Sequence, residues 1–592
     1  MPKLPTSLTA ISRRTALPAA CLAAVLAALS QGTFAQAGPA TTGTVHYDID
    51  ASIFHPVHAS HGMVSSASAL ATDIGVDVLR RGGNAVDAAV AVGFALSVAL
   101  PNAGNIGGGG FMVLHDGKTG KDTAIDFREM APAAATRDMY LDANGNVVPD
   151  KSLFTQAAIG VPGTVAGLTY ALEHYGTMPR ATLVAPAVAL ASKGFPVGER
   201  LAGVFAVERE HLGAWDGTRK VFFHDGQVPR TGDVLRNPDL ARSLALIGRD
   251  GAKAFYDGPI AAAIVAEARA HGGLIPAADL KNYKVVERAP VRGNYRGYEV
   301  VSMPPPSSGG VHVIQILNIL SNFPLHDWGQ NSARTIHVMA EAEKRAYADR
   351  SEYLGDPDFV KVPVKGLTSP DYARQLASQI DLAHATPASQ IKPGRPQPYE
   401  SDQTTQFTVA DDRGGVVSVT YTLNTNFGSG IVASGTGILL NNEMDDFSAK
   451  PGVTNAYGLV GGDANAVGPL KRPLSSMSPT IVLKDGKPWL ATGSPGGARI
   501  ITTTLQVLVN MIDFGMNPAE ASAAVRVHDQ WLPDELRIER GLSPDTIALL
   551  RGMGHNVVER QAMGDTQTIE ITPDGFFGYA DQRDTNGAVR GF

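Results

Sequence analysis

The sequence predicts an α+β sandwich, in which β-sheets are stacked between layers of helices. Three observations predict this fold class. The first part of the chain shows mainly helical patterns, strand patterns begin after a proline-rich segment at 385–403, and a helix pattern returns at Arg499. The 64 glycines among 592 residues also indicate many turns with positive φ or close approaches of the backbone to a ligand.

Charge and hydropathy exclude several classes of protein. Lys and Arg number 50 against 57 Asp and Glu, and the net charge of −7 does not suit a nucleic-acid partner. The hydrophobic fraction of 44% is too high for a disordered chain. Outside the N-terminus, the sequence has no apolar run long enough for a transmembrane helix. We therefore expect a compact protein without a membrane span.

Residues 1–37 have the pattern of a secretory signal peptide. Three cations precede an apolar stretch from Ala16 to Leu29, and Ala35-Gln36-Ala37 matches a small-x-small cleavage signal. Both the general and the twin-arginine export routes remain open. Because the one cysteine, Cys21, lies in this segment, the mature chain would have no disulfide, cysteine nucleophile or thiolate metal site.

The first elements of the mature chain are two helices and a hairpin. Ser68 to Arg81 shows helical spacing and ends at two glycines. Asn84 to Leu100 is apolar almost all round, so we expect this helix to lie between two layers. A four-glycine loop at 107–110 then leads into strands Phe111 to His115 and Thr123 to Arg128.

The middle of the chain, from 164 to 350, is predicted to be mainly helical, including Ser332 to Tyr353. Residues 385–403 change to proline and polar residues and are predicted to form an exposed linker. The remaining predicted elements are strands and one helix: Thr404 to Ala410, Val416 to Asn424, Ile438 to Leu440, Thr480 to Lys484, Lys487 to Thr492 and helix Arg499 to Phe514.

Several partial motifs do not carry a function. Asp116-Gly117-Lys118-Thr119 lacks the earlier glycine of a P-loop, and the GxGxxA match at 428–433 does not lead into a helix. Ser494 lacks the first glycine of a nucleophile elbow. The histidines at 55, 58 and 61 fit a flexible polar lead-in better than a metal site. No metal or cofactor is therefore predicted.

Thr404 is the candidate nucleophile. Taken alone, Gln403-Thr404-Thr405 indicates only the start of a β-branched strand. The linker before it, however, allows Thr404 to become a new N-terminus. A threonine with a free α-amine contains nucleophile and base in one residue. The unperturbed pKa of an α-amine, ~7.7 to 8.0, is close enough to neutrality for it to accept the hydroxyl proton.

Polar groups downstream could complete an active site. Thr420, Thr422 and Asn424 share one face of a strand, which could also be a solvated edge. The loop at 441–447 contains three acids and two amides, a pattern that also fits a solvated loop or a calcium site. The loop at 493–499 presents backbone N–H groups ahead of a helix, as an oxyanion requires.

Two further segments suit a carboxylate ligand. Ser475 and Ser476 place adjacent hydroxyls between two prolines. Arg128 follows a predicted strand and could contact a carboxylate with both arms of its guanidinium. Taken alone, such an arginine more often forms a surface ion pair.

With these segments in this order, the mature sequence resembles the γ-glutamyltranspeptidases of the bacterial periplasmic kind, members of the N-terminal nucleophile hydrolase superfamily. This resemblance implies a four-layer αββα sandwich built jointly by two subunits. The precursor would cut itself between Gln403 and Thr404 into a large subunit, 38–403, and a small subunit, 404–592. The resemblance implies a periplasmic heterodimer that needs neither cofactor nor metal.

The resemblance also implies a role for each site residue. Thr404 would attack the donor, Thr422 would position Thr404, and the N–H groups of Gly496 and Gly497 would hold the oxyanion. The donor contacts fall into a carboxylate-binding set and an ammonium-binding set: Arg128, Ser475 and Ser476 for the first, and Asn424, Glu443 and Asp446 for the second.

Three features distinguish this chain within the family resemblance. Glu443 stands where bacterial members often have Gln, and we expect it to alter donor affinity rather than abolish activity. Gln406 occupies a position that commonly holds His. Residues 451–462, including Tyr457, resemble a lid loop over the glutamyl pocket, which would restrict water and bulky donors.

The implied activity transfers the γ-glutamyl group of glutathione or a related donor to an amino acid, a short peptide or water. Two alternatives remain at this stage. A cephalosporin acylase of the same fold would accept a glutaryl group, against which Glu443 and Asp446 argue. A periplasmic binding protein for glutathione or amino acids would perform no chemistry and would remain one uncut chain.

Overall fold

Two seven-stranded antiparallel sheets form the centre of the protein. The computed structural model describes residues 47–393, 404–450 and 462–592. In spatial order, sheet I consists of Ala588–Gly591, Gly62–Ser66, Thr405–Asp411, Val416–Thr422, Gly109–Asp116, Lys121–Phe127 and Val286–Arg288. Sheet II consists of Val57–Ala59, Gly575–Ala580, Gln567–Thr572, Lys487–Thr492, Thr480–Lys484, Tyr298–Ser302 and Val291–Tyr295.

Each sheet combines strands from before and after Thr404. In sheet I, Thr405–Asp411 pairs with Gly62–Ser66 on one side, and Val416–Thr422 pairs with Gly109–Asp116 on the other. In sheet II, Thr480–Lys484 pairs with Tyr298–Ser302. Both parts of the chain are therefore needed to build either sheet.

The strand Gly109–Asp116 shows how the layers stack. Phe111 and Val113 belong to the hydrophobic cluster between the two sheets, which also contains Ile481 of sheet II. Met112 and Leu114 belong to the cluster between sheet I and its helices. Because successive strand residues point to opposite faces, both faces of this strand are covered. A third cluster lies between the outer face of sheet II and the helices that pack on it.

The order of layers is therefore helices, sheet I, sheet II and helices, which confirms the predicted αββα sandwich. The helices of five or more residues before Thr404 are Ala69–Arg80, Ala85–Ala99, Thr164–Tyr175, Arg180–Lys193, Glu199–Val207, Arg209–Gly213, Asp216–Phe222, Pro238–Asp250, Ala252–Tyr256, Pro259–Ala270, Ala277–Asn282, Gly309–Leu320, Ala333–Tyr353 and Pro370–Ala377. Those after Thr404 are Arg499–Ile512, Pro518–Ala523 and Pro544–Gly552.

The helix Ala85–Ala99 confirms the prediction of a helix between two layers, because every residue in it is buried. Asn84 and Asp87 form a capping box at its start. The Asp87 carboxylate also accepts the backbone N–H groups of Thr177 and Met178, at 2.8 and 3.0 Å. The cap thus joins this helix to the chain segment after helix Thr164–Tyr175.

One hairpin was missed by the helical prediction for the middle of the chain. Val291–Tyr295 and Tyr298–Ser302 pair in sheet II around a turn in which Arg296 and Gly297 have φ of 51° and 89°. An arginine in this conformation is rare, so the pair lacks the usual Asn-Gly turn signal. The Arg296 side chain donates to Asp513 Oδ1 at 3.1 Å, a tertiary contact that local sequence does not reveal.

The segment predicted as an exposed linker begins with residues of mixed exposure. Ala388 and Ile391 are buried, whereas the residues at 387, 389, 390 and 392 are exposed. The N–H of Ala388 donates to Asp534 at 2.8 Å, and its carbonyl accepts from Trp531 at 3.0 Å. The remainder of the predicted linker at 394–403, the signal peptide at 1–37 and residues 451–461 of the predicted lid lie outside the described residues.

Within the described ranges, no helix is both long and apolar enough to span a membrane. The same residues contain no group of three or more His, Cys, Asp or Glu side chains suited to a metal ion. His55, His58 and His61 are exposed, but His58 lies in the strand Val57–Ala59 of sheet II, so the prediction of a flexible lead-in is wrong at this residue.

We expect His528→Asn to make stability less sensitive to acid. His528 is fully buried between Thr502 and Gln530, and burial lowers its pKa from 6.5 to about 3. Below pH 6.5 this histidine is protonated in the unfolded chain but stays neutral in the folded chain. The free energy of unfolding therefore falls as the pH drops toward 3, by up to about 1.4 kcal/mol per pH unit. The measurement is the thermal midpoint from pH 7 to pH 4.

His224→Asn is the matched control, because the side chain of His224 is 95% exposed. Its midpoint should follow the parental pH dependence, whereas that of His528→Asn should fall less steeply. Equal slopes for all three proteins would contradict the assignment of His528 as a neutral buried group.

Candidate active site

Thr404 lies just before the third of the seven strands of sheet I. It immediately precedes Thr405–Asp411 and is buried. Thr405 pairs with Tyr421, so the next step of the antiparallel register sets Thr404 opposite Thr422. On the far side of its strand, Thr422 pairs with Gly109, which is the third of the four glycines at 107–110 and the first residue of the strand Gly109–Asp116. The register therefore brings the predicted nucleophile and its predicted positioning residue together.

Thr422 is held from two directions. Its hydroxyl accepts the backbone N–H of Asn424 at 2.8 Å, and its carbonyl accepts the Asn105 side-chain amide at 2.8 Å. Asn105 Oδ1 in turn accepts the N–H of Gly108 at 2.9 Å. Sequence reasoning missed Asn105; its one signal is a single amide side chain inside a glycine-rich loop.

Asn424 lies beyond the end of its strand rather than on the strand face predicted for it. Its φ of 78° turns the chain away from sheet I after Thr422. The Asn424 amide then donates to the carbonyl of Asn442 at 3.0 Å. This hydrogen bond ties the end of the strand to the loop that carries Glu443 and Asp446.

The predicted oxyanion loop packs against the strand of Thr404. A Cβ atom at Gly493 would lie 2.6 Å from the side chain of Gln406, so only glycine fits there without a shift. Gly496 and Gly497 have φ of 130° and 59°, which favour glycine. Among the described residues, neither of their N–H groups has a backbone acceptor, and the helix Arg499–Ile512 follows. Such N–H groups can bind an oxyanion.

Gln406 is a buried link between the strands next to the nucleophile. Its amide nitrogen donates to Ser418 Oγ at 2.9 Å, and its oxygen accepts from Thr420 Oγ1 at 2.6 Å. Both partners lie on the strand that ends at Thr422. The neutral amide of Gln406 therefore both donates and accepts a hydrogen bond at this buried position.

Arg128 directly follows the strand Lys121–Phe127 and is fully buried. Its guanidinium donates to the carboxylates of Glu443 and Asp446. The same group donates to the carbonyls of Pro473 and Leu474, at 3.2 and 3.0 Å. The alternative of a surface ion pair is therefore wrong, because both carboxylates and the guanidinium are buried.

Ser475 and Ser476 follow these two carbonyls and are also buried. Ser475 Oγ accepts the N–H of Met477 at 3.2 Å, which orients the hydroxyl. The carbonyl of Ser475 accepts the N–H of Ser308 at 2.7 Å. The two serines are therefore held beside Arg128 by backbone contacts from both parts of the chain.

Three carboxylates surround the one guanidinium, because Glu129 Oε2 also lies 3.7 Å from Arg128 Nη1. Burial raises the pKa of Glu129 to about 7 and holds the pKa of Glu443 well above its usual range. Burial acts to lower the pKa of Arg128, but the adjacent carboxylates raise it. The arginine is therefore charged, and the site has an excess of acidic groups.

Five polar side-chain atoms near Arg128 have no hydrogen-bond partner within the described part of the chain. They are Glu129 Oε1, Glu129 Oε2, Glu443 Oε2, Asp446 Oδ1 and Ser476 Oγ. A buried polar atom without a partner costs about 1–3 kcal/mol. Because these atoms lie on segments that meet at Arg128, they indicate a site for a polar ligand rather than a purely structural ion cluster.

The structure thus brings together most of the predicted site residues. Arg128, Glu443 and Asp446 are in direct contact, Ser475 and Ser476 are adjacent to them, and Asn424 connects this group to Thr422. Gln403 and Tyr457 lie outside the described residues. The calcium alternative for the loop at 441–447 is not supported, because Glu443 and Asp446 bind Arg128.

Comparison with known proteins places this geometry in a family. The family model for gamma-glutamyltranspeptidase matches residues 71–591. The chain belongs to this family. The glutathione hydrolase proenzyme of Escherichia coli K12 is 57% identical over 571 residues, which cover 96% of this chain and 98% of that protein.

Two solved structures are similar to this gamma-glutamyltranspeptidase family member. The cephalosporin acylase from Bacillus halodurans superposes with a TM-score of 0.82 at 29% identity, covering 94% of this chain and 99% of that one. The Helicobacter pylori gamma-glutamyltranspeptidase chain superposes with a TM-score of 0.55 at 47% identity, covering 56% of this chain and 94% of that one. Both agree with the α+β sandwich described above.

Proposed function

We propose that this chain is the precursor of a periplasmic γ-glutamyltransferase and glutathione hydrolase. The observation that carries the proposal is the buried contact of Arg128 with Glu443 and Asp446, connected through Asn424 to the strand ends at Thr404 and Thr422. A cation and two acids in one site suit the carboxylate and ammonium of an α-amino acid. The similarity to a glutathione hydrolase proenzyme supports the same function.

Maturation begins with export and removal of residues 1–37. The hydroxyl of Thr404 then attacks the carbonyl of Gln403, the acyl group moves from nitrogen to oxygen, and water hydrolyses the ester. This cleavage yields a large subunit, 38–403, and a small subunit, 404–592, which remain together as a heterodimer. The new α-amine of Thr404 becomes the general base.

In the reaction itself, the Thr404 amine accepts the hydroxyl proton while the oxygen attacks the γ-carbonyl of the donor. The N–H groups of Gly496 and Gly497 stabilise the oxyanion, and Thr422 positions the nucleophile. The protonated amine gives its proton to the departing amino group, which leaves an ester on Thr404. An amino acid, a short peptide or water then takes the γ-glutamyl group.

The donor's α-carboxylate binds Arg128, Ser475 and Ser476, and its α-ammonium binds Asn424, Glu443 and Asp446. Because Arg128 contacts Glu443 and Asp446 in the structure, a donor inserts between groups of opposite charge. Arg128 then exchanges the carboxylates of Glu443 and Asp446 for the carboxylate of the donor. The two acids exchange the guanidinium for the ammonium of the donor. We also propose that residues 451–462, with Tyr457, form a lid over the bound glutamyl group.

A glutaryl acylase is the second candidate, because the cephalosporin acylase structure matches nearly the whole chain. A glutaryl group lacks the α-ammonium, so it would leave Glu443 and Asp446 without a cationic ligand. A binding protein without chemistry would remain one uncut chain, whereas the Escherichia coli relative is a proenzyme. The γ-glutamyl donor is therefore the proposed substrate.

We predict that Thr404→Ala remains one uncut and inactive chain. The variant lacks the hydroxyl that attacks the carbonyl of Gln403 and cannot form the acyl enzyme. The measurements are a denaturing gel, N-terminal sequencing and hydrolysis of a γ-glutamyl anilide. The parental protein should give two bands, one of them beginning at Thr404.

Thr405→Ala is the matched control, because Thr405 Oγ1 is buried and has no partner within the described residues. It should be cut and active, and Thr404→Ser should be cut more slowly. Cleavage of Thr404→Ala at the same bond would remove Thr404 from the proposed mechanism. A fully active, uncut parental chain would do the same.

We predict that the enzyme prefers a γ-glutamyl anilide to a glutaryl anilide by about 100-fold in kcat/KM. Leaving buried acids without a cationic partner costs about 3 kcal/mol, which corresponds to that ratio. Asp446→Asn should narrow the difference, because it removes one of these acids. A parental preference for the glutaryl anilide would instead favour the acylase.

We predict that Ser476→Ala weakens donor binding without destabilising the protein. Ser476 Oγ has no partner among the described residues, so its removal should leave the thermal midpoint unchanged. The KM for the donor should rise about tenfold, since one hydrogen bond to a charged group contributes about 1.5 kcal/mol.

Ser478→Ala provides the opposite pattern. Ser478 Oγ donates to the carbonyl of Ser476 at 2.7 Å, so alanine should lower the thermal midpoint and leave the donor KM near the parental value. A parental KM in the processed Ser476→Ala enzyme would exclude Ser476 from the donor site.

A further inference from the structure

Asp126 is a fully buried carboxylate two residues before Arg128. Its Oδ1 atom accepts the backbone N–H of Arg128 at 3.0 Å and lies 2.5 Å from Arg472 Nη1. Its Oδ2 atom accepts from Arg288 Nε at 2.8 Å. One side chain therefore joins a backbone group of the site to two cations.

Arg472 begins the segment that leads to Ser475 and Ser476. Besides the Asp126 carboxylate, its guanidinium binds the carbonyls of Asp126 and Lys284, at 3.2 and 2.6 Å. Its backbone N–H donates to Asp356 at 2.8 Å. The start of the serine segment is thus fixed by residues that precede Thr404 in the chain.

The contacts between the two segments are reciprocal. Asp126 binds the side chain of Arg472, and Arg128 binds the carbonyls of Pro473 and Leu474, the next two residues after Arg472. The same Asp126 carboxylate holds the backbone of Arg128. A shift of either segment would therefore move Arg128 relative to Ser475 and Ser476.

We infer that Asp126 is a positioning residue for donor binding, acting through Arg128 and Arg472. We call Asp126, Arg128 and Arg472 the Asp126 bridge. It sets the distance between the guanidinium and the serine hydroxyls that take the donor's α-carboxylate, and it does so across the two subunits. This inference rests on the proposed function, because it concerns the same donor site.

The test is Asp126→Asn, which keeps the shape of the side chain and an acceptor for Arg128 N–H but removes the charge that binds Arg472 and Arg288. We expect an enzyme that is cut and folded but has a lower thermal midpoint, because Arg472 loses a buried charge partner, and whose KM for a γ-glutamyl anilide rises at least tenfold. Its kcat should stay within threefold of the parental value, and its KM for a dipeptide acceptor should not change. General structural damage would alter all three constants.

Asp358→Asn is the matched control. Asp358 forms the other ion pair of Arg288, at 2.8 Å, and its side chain is 53% exposed. The substitution removes an anion from Arg288 but leaves the contacts of Asp126 with Arg128 and Arg472 in place. All kinetic constants should therefore remain parental. A donor KM in Asp358→Asn that rises as in Asp126→Asn would assign the effect to Arg288 and overturn the inference.

Arg472→Lys tests the other end of the bridge, because lysine keeps the charge but loses the planar fork. We expect a smaller rise in donor KM, and the double variant with Asp126→Asn should exceed the larger single effect only slightly. A parental donor KM in either cut variant would overturn the inference. The inference would also be overturned if both variants kept the parental thermal stability but remained uncut, because the bridge would then act on maturation rather than on donor binding.

These outcomes are separate from those that test the proposed function. A parental enzyme that does not hydrolyse γ-glutamyl anilide would refute the function itself. Parental activity with an unchanged donor KM in Asp126→Asn would refute only the role of Asp126.

Discussion

The ion pairs of the buried Arg128 guanidinium are the interactions on which the proposed donor site depends. A charged group without solvent must be paired, and removing one partner of such a pair leaves an uncompensated charge that strongly destabilises the fold. Glu443 and Asp446, more than 300 residues later in the chain, supply those partners. The carbonyls of Pro473 and Leu474 complete the set. The site can therefore form only when the parts of the chain before and after Thr404 are folded together.

The two sheets also form only when the parts of the chain before and after Thr404 fold together. Strands from both parts alternate in sheet I, and Thr404 lies just before its strand rather than within it. Cleavage before Thr404 would break no ladder hydrogen bond of Thr405–Asp411, and both cores would remain closed. The sheets thus form in the single chain, so in the proposed mechanism the protein can position the Thr404 hydroxyl before the peptide bond breaks. The heterodimer is then held by the contacts that folded the single chain.

Local patterns predicted the parts of the fold that local physics controls. The apolar run after Asn84 and its capping Asp87 predicted a buried helix, and strand patterns predicted the two strands that follow Thr404. The resemblance named the site residues, but not their contacts with one another: Arg128 and Glu443 were assigned to opposite charges of a ligand and are paired with each other in the structure. Asn105, the Arg296 turn and the Asp126–Arg472 contact were missed because each depends on a partner far away in sequence. Periodicity and turn rules do not report such partners.

The charge count of the site explains why a zwitterion suits it. Arg128 is surrounded by the acidic side chains of Glu129, Glu443 and Asp446, so a ligand that brings only a carboxylate adds a fourth acidic group near one cation. A ligand with an ammonium next to its carboxylate adds no net charge and gives each separated group a new partner of opposite sign. In a buried site solvent screens charges little, so the sign of each group that a ligand adds matters. The proposed selectivity for an α-amino acid group therefore rests on the charged groups around Arg128.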